Sequence, residues 1–330
     1  MSFKLQVGEM QTEYLTDKDI WSHFNYIFSS KSKNSTTYKF VLIKSLLENL
    51  YNVDGNLQLS YSTLFNSFAK IYWNLVVHHR LNQINMVNKK SEVQKVLLDI
   101  QEKYQIPSTI VFDRLSPEVQ LEVVLKVKRK CKINVMGALY GDTQATFYDF
   151  DNKIEQLRFS PSYYSFMQRF QRVLQYLTNY QLALFLEKFN TQGDTTNLLV
   201  RIENVSKRSS LDQFYRVLSS FYNGTCFYCG KSIKRKEAAH VDHFIPWSFV
   251  QADQLWNLVI ACSPCNLSKS DKLASGLYLE NLIERNDLFI QNEIGIKEDM
   301  EVYTPEKLQD LYKFSIDNGF TDIWVPKSII

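Results

Sequence analysis

Residues 226–272 read CFYCGKSIKRKEAAHVDHFIPWSFVQADQLWNLVIACSPCNLSKSDK. Four of the chain's five cysteines lie in this stretch, as two C-x-x-C pairs: Cys226 with Cys229 and Cys262 with Cys265. Each pair can turn two thiolates onto one ion, and two pairs complete a tetrahedral four-sulfur site. The interval between the pairs is longer than in a compact zinc ribbon, so something is inserted. Two disulfides are the competing reading. The N-terminal residues MSFKLQVGEMQTEY lack the apolar core of a secretory signal, and without one such pairs point to metal or redox work. Redox use goes with a single pair beside a βαβ pattern. A site closed by four thiolates has no open position, so the expected Zn2+ is structural.

The insert carries two apolar runs. AAHVDHFIPW (238–247) alternates in part and is ended by Pro246, which predicts a strand; LVIA (258–261) predicts its partner. After Cys265 a helix is expected from about Ser268. The order strand, loop, strand, helix puts Asp242 and His243 on a strand and Asn266 at the start of a helix.

Phosphodiester hydrolysis needs a base for water and a cation to neutralise charge on the phosphate and the leaving oxygen. A histidine suits the first task, which makes His243 the candidate base. A carboxylate and an amide oxygen suit a hard cation, so Asp242 and Asn266 are candidate ligands of a second, catalytic Mg2+ or Mn2+. One tension stands: neighbours on a regular strand face opposite sides, so joint use of Asp242 and His243 calls for a twist or a bulge.

The segments CFYC, HVDHFIPWS, LWNLVIAC and CNLSKSD resemble the HNH nucleases of the ββα-metal (His-Me finger) fold. They are similar in particular to the HNH domain of the RNA-guided CRISPR nucleases. The resemblance covers roughly Cys226 to Asp271. It implies that His243 is the general base, that Asp242 and Asn266 bind the catalytic metal, and that Asn257 is structural, fixing the loop that positions the base. It also implies a phosphate-facing role for Lys269. Asn266 stands where the family's second namesake histidine would be, and an amide oxygen there can still bind Mg2+.

Other residues of the stretch read less sharply. Lys234, Arg235 and Lys236 form either a solvated loop or a phosphate contact. His240 shares a strand face with Asp242 and reads as a supporting or solvated residue. Trp247 and Trp256 read as core.

The rest of the chain reads as helices. At 330 residues two domains are expected. Only 10 glycines argue against a turn-rich all-β fold, and a net charge of +3 requires any nucleic-acid surface to be local. Residues 1–34 are mixed. Helices are expected from Thr36 to Tyr51, from Ser60 to His79, from Ser91 to the break before Pro107, and from Ser116 through the basic run Lys126, Lys128, Arg129, Lys130 and Lys132. That run reads equally as complement to the helix C-terminus or as a phosphate-gripping patch. A β-hairpin is expected near 145–159, then one long helix from Ser160 to Phe189, broken by TQGDTT. Further helices are expected over Thr195–Val205, Leu211–Tyr222 and from Thr304 to a stop at Gly319. No apolar run approaches the ~18 residues of a membrane span.

The fold expected is therefore α+β and predominantly α-helical. A helical recognition or regulatory domain spans 1–208, a zinc-stapled HNH module 209–280 and a C-terminal helical extension 281–330. The function expected is metal-dependent cleavage of DNA, double-stranded, by a cytoplasmic restriction or phage-defence effector. Three alternatives stay open: a nuclease subunit switched on by a protein partner, a zinc-ribbon protein that binds nucleic acid without cutting, and an RNA target. A homo-oligomer is also compatible.

Overall fold

The structure, a computed structural model, describes residues 5–11, 14–86, 89–191, 193, 195–207, 210–221, 223–293 and 297–327. The expected boundary at 208/209, the helix end at Tyr222, and Gln192 and Asp194 of the TQGDTT break lie outside the described residues. The chain divides into two compact units, Met1–Ser209 and Ser210–Ile330. The fold is α+β and helix-dominated. Among the described residues no helix is long and apolar enough to cross a membrane.

The first unit contains, in chain order, β1 (Val7–Gly8), α1 (Asp17–Phe28), α2 (Tyr38–Glu48), β2 (Gln58–Ser60), α3 (Tyr61–Trp73), α4 (Glu92–Lys103), α5 (Pro117–Cys131), α6 (Val135–Asp142), β3 (Tyr148–Asp151), β4 (Gln156–Phe159), α7 (Pro161–Arg169), α8 (Gln171–Phe189) and α9 (Leu198–Asn204). Helix α2 is its centre, buried from Lys39 to Glu48 and packed between α3 and α8. The three charges inside it are all paired: Lys39 meets Asp142 at 2.6 Å and Lys44 meets Glu48 at 3.2 Å, with the Ser206 hydroxyl donating to Glu48. A lone buried charge would be costly; a paired and hydrogen-bonded one is tolerated. Helix α5 packs on α3 and α4, and the strands form an antiparallel sheet in the order β1-β3-β4-β2.

Local departures from expectation have local causes. Helix α1 lies in the stretch read as mixed, and Thr16 and Asp19 open it with a reciprocal capping box. The helix expected over Ser60–His79 leaves α geometry at Asn74 and closes with a π turn through His78, where the Asn74 side chain is drawn to Phe112 N and Val205 O. The helix expected over Ser160–Phe189 breaks at Phe170, whose ring seats against Trp21 and Phe166.

The second unit contains α10 (Asp212–Ser219), β5 (Ala239–His243), α11 (Trp247–Val250), β6 (Leu258–Cys262), α12 (Ser263–Lys269), β7 (Leu273–Ala274), α13 (Leu279–Gln291), α14 (Lys297–Glu301), α15 (Pro305–Asp317) and β8 (Ile323–Trp324). Strands β5 and β6 pair antiparallel from Ala239↔Cys262 to His243↔Leu258, with α12 packed against both. Helix α12 starts at Ser263, earlier than expected, because Pro264 fits a first helical turn. It stops at Lys269, since Ser270 turns to φ +49. Phe214 and Leu218 of α10 and Phe289 of α13 form a core with Leu255, Leu258 and Ile260. Strand β8 pairs in parallel with β7.

Residues 281–330 thus brace the module. Arg285 of α13 is half-buried, donates to Leu258 O at 2.6 Å and stacks over Phe289, while Asn286 Nδ2 donates to Trp256 O at 2.9 Å. Desolvation of its head group pulls the Arg285 guanidinium down to about 9. Together these two residues fix the turn that leads into β6.

Candidate functional site

The four cysteines converge although they come from two distant segments. Cys226 and Cys229 lie in a tight knuckle closed by Gly230 N→Cys226 O at 3.0 Å, and the knuckle is tied to β6 by Phe227 N→Ile260 O at 3.0 Å. Cys262 ends β6 and Cys265 lies on α12. The four sulfurs lie within 4.8 Å of one another, with Cys229 Sγ and Cys262 Sγ 3.8 Å apart, and no disulfide joins them. A tetrahedral zinc with Zn–S near 2.3 Å has sulfur–sulfur edges of about 3.8 Å. The cluster therefore fits a four-thiolate metal site.

Beside the cluster, β5 sends its last two side chains to different partners. Asp242 is buried; its Oδ2 accepts from the Tyr228 hydroxyl at 2.6 Å and from Lys269 Nζ at 3.1 Å. Burial, then the Asp242 charge, holds the Tyr228 phenol far above its ordinary value, so it stays a donor. His243 turns the other way, its Nε2 2.8 Å from Oδ1 of Asp253, which is almost fully buried. The strand is regular to its end, so Asp242 and His243 do face apart as alternation requires.

Asn257 is wholly buried and reciprocally bonded to one residue. Its Oδ1 accepts from Ile245 N and its Nδ2 donates to Ile245 O, both at 2.9 Å, while its backbone carbonyl accepts from Phe244 N at 2.8 Å. The segment just after His243 is thereby locked to the start of β6. Ser248 donates to Asp271 at 2.6 Å, joining the strand-end and helix-end parts of the motif.

Lys269 differs from the expected phosphate-facing residue. It is fully buried, and its ammonium bonds Asp242 and the His243 carbonyl, the latter at 2.7 Å. It is the nearest cation able to compensate a buried carboxylate. Asn266 is one helical turn before Lys269, hence on the same face of α12, half-buried and, among the described residues, without a side-chain hydrogen bond. Lys234, Arg235 and Lys236 are exposed on the loop before β5, with Lys236 lying over the Tyr215 ring. His240 is half-buried on β5; Trp256 is core and Trp247 half-buried.

Two participants escape sequence reading. Tyr228 sits inside the first cysteine knuckle, and Asp253 is an acid in an irregular loop. Only the spacing of Asp253, ten residues after His243 and four before Asn257, marks it.

This is a zinc-ribbon-like knuckle fused to a β-hairpin and a short helix. Residues 226–275 match the family described as HNH endonuclease. No curated protein and no solved structure matches the chain.

Proposed function

We propose that the protein is a metal-dependent endonuclease that hydrolyses phosphodiester bonds of double-stranded DNA. His243 is the base, Asp242 and Asn266 are the ligands of Mg2+ or Mn2+, and Cys226, Cys229, Cys262 and Cys265 hold a structural Zn2+. The observation that carries this reading is the His243–Asp253 pair; His243 is the last residue of β5 and faces away from Asp242, so in this reading the base and the metal act on the phosphate from opposite faces of the strand end. An ionised carboxylate only accepts, so Nε2 carries the proton and Nδ1 keeps its lone pair. Nδ1 then takes a proton from water as the water oxygen attacks phosphorus. Asp253 steadies the imidazolium that results, and the bond to the leaving strand's oxygen breaks.

The donors near Asp242 fit a hard cation. Among the described residues, Oδ1 of Asp242 has only a 3.4 Å contact with Lys269 and the Asn266 amide makes no hydrogen bond. Carboxylate and amide oxygens are the ligand types Mg2+ takes while keeping several waters. Bound there, such an ion neutralises charge on the phosphate and the leaving oxygen. Asn257 keeps the base in register through Ile245. Lys269 acts here as a positioning residue, holding Asp242 and the His243 carbonyl together. Lys234, Arg235 and Lys236 are the module's own phosphate contacts. Target choice falls to the helical unit, in keeping with a cytoplasmic restriction or phage-defence effector.

The test is cleavage of supercoiled plasmid, linear duplex and RNA with Mg2+ or Mn2+, comparing the native chain with His243→Ala. The native chain is expected to cut DNA, and the variant to lose about 10²-fold or more. Equal cutting by both removes His243 from its role. A zinc-loaded chain that cuts nothing removes the stand-alone enzyme.

A further inference from the structure

The first unit contains a groove of about 900 Å³, near the top of the size range of small-molecule sites. Four cations line it, Arg80, Lys89, Lys90 and Lys188, and among the described residues no carboxylate does. Its apolar surface comes from Val76, Leu81, Leu98 and Phe189. Lys89, Lys90 and Lys188 are exposed, and none of them forms an ion pair among the described residues.

The contrast with α5 is instructive. Its basic run is the stretch that reads most like a phosphate grip, yet its lysines are consumed internally. Lys126 meets Glu122 at 2.6 Å, Lys130 meets Glu92 at 3.5 Å, and Lys128 and Lys132 both bind Glu155. The groove's cations come from three separated parts of the chain and, among the described residues, none pairs with a carboxylate, although Lys188 lies over the Phe189 ring.

The frame beneath them is held by amides. Asn190, at the end of α8, accepts from Asn82 N at 2.6 Å and donates to Asn82 O at 3.0 Å, tying the Lys188 wall to the chain after Arg80. Gln94 Oε1 accepts from Gln83 N at 3.1 Å and fixes the start of α4 to the same chain. The π turn Asn74–His78 ends at this wall, a distortion that often accompanies function. Arg80 follows with φ +56, a conformation that glycine adopts without penalty, and it anchors one guanidinium nitrogen on Ser108. An arginine at such a position keeps its other donors for a ligand.

We propose that this groove binds phosphate esters of nucleotides: the cations take the phosphates and the apolar surface takes the base or sugar. The source is either a nucleic-acid strand or a free nucleotide, and the chemistry is shared. Single-stranded segments are held in this way, by a charged groove with apolar surface for the bases.

Binding is measured by fluorescence anisotropy on the full chain carrying His243→Ala, without divalent metal in the buffer. Catalysis plays no part, so failure here and failure of the endonuclease reading are separately visible. The probes are labelled oligo(dT) and a fluorescent ATP analogue. The parent is expected to bind at least one of them, with affinity falling as salt rises. Lys89→Glu/Lys90→Glu/Lys188→Glu should weaken that probe on the order of 10-fold or more; for oligo(dT) the salt slope should flatten by about 2, since each lost phosphate contact removes about 0.7. Arg80→Gly should weaken it too while melting no lower than the parent, because glycine suits the backbone there. Loss confined to oligo(dT) identifies a strand, and loss confined to the ATP analogue a free nucleotide. A parent that binds neither probe, or variants that bind as the parent does, overturns the proposal.

Discussion

His243 Nε2 lies 2.8 Å from Asp253 Oδ1. A carboxylate at that distance selects one tautomer and one ring orientation, leaving Nδ1 as the basic atom. Asp253→Asn keeps the shape and removes that selection, because an amide accepts or donates equally well. Cleavage should fall about 10–100-fold, part of the ~10²–10⁴ that a positioned base supplies. Zinc content and thermal midpoint should stay near those of the parent. A variant that cuts at the parent's rate would show the pair to be incidental.

Lys269 and Asp242 form the module's buried ion pair, 3.1 Å apart with the lysine fully covered. Removing one partner leaves the other charged in a poor solvent, which typically costs about 3–5 kcal/mol. Lys269→Met should therefore destabilise the second unit by about 3 kcal/mol in urea unfolding. Adding Asp242→Asn should recover part of that loss, since the stranded charge is then gone. Strict additivity in this cycle would mean that the pair does not couple.

The metal cluster joins elements too short to hold themselves: a knuckle, a five-residue strand pair and the first turn of α12. A zinc bound there contributes its binding free energy to folding. Chelation should abolish the second unit's thermal transition and leave that of the first. Thiol titration offers a sharper readout. The metal-loaded native chain should show no reactive thiol, and the chelated chain four. The fifth, Cys131, is buried in α5 with its thiol pushed far up by that burial, and should react only when the first unit unfolds. Four reactive thiols in the metal-loaded chain would contradict a closed site.

Much of this arrangement is legible in the sequence because its chemistry is written in spacing. Two C-x-x-C pairs, an Asp-His step on an alternating run and an Asn after the second pair survive without tertiary information. Asp253 and Tyr228 are not legible, since a loop acid and a knuckle aromatic become partners of His243 and Asp242 only once the chain has folded. Lys269 illustrates the opposite error. Its charge suggests an outward role, but one turn of helix beyond Asn266 it points at a buried carboxylate. The same applies to α5, whose lysines look free until Glu92, Glu122 and Glu155 are brought beside them. Helix α1 was within reach: Thr16-x-x-Asp19 is a capping signal, and the polar residues around it hid the helix.

His79 gives the first unit a pH dependence whose sign is set by burial. Burial, then the neighbouring His78 and Arg201, depress its pKa to about 4. In the unfolded chain an imidazole titrates near 6.5. Between these values the unfolded chain binds more protons than the folded one, so stability rises with pH through the window and is lost as pH falls from about 6.5 toward 4. The ring is only partly covered, and solvent screening reduces the full linkage to ~1–2 kcal/mol. His79→Gln cannot gain a proton and should lose less stability on acidification from about pH 7 to about pH 5. Urea unfolding of the first unit's transition at both pH values, parent against variant, measures the difference. Identical losses would mean that the parent's acid sensitivity comes from other groups and that His79 is protonated in the folded chain at no cost.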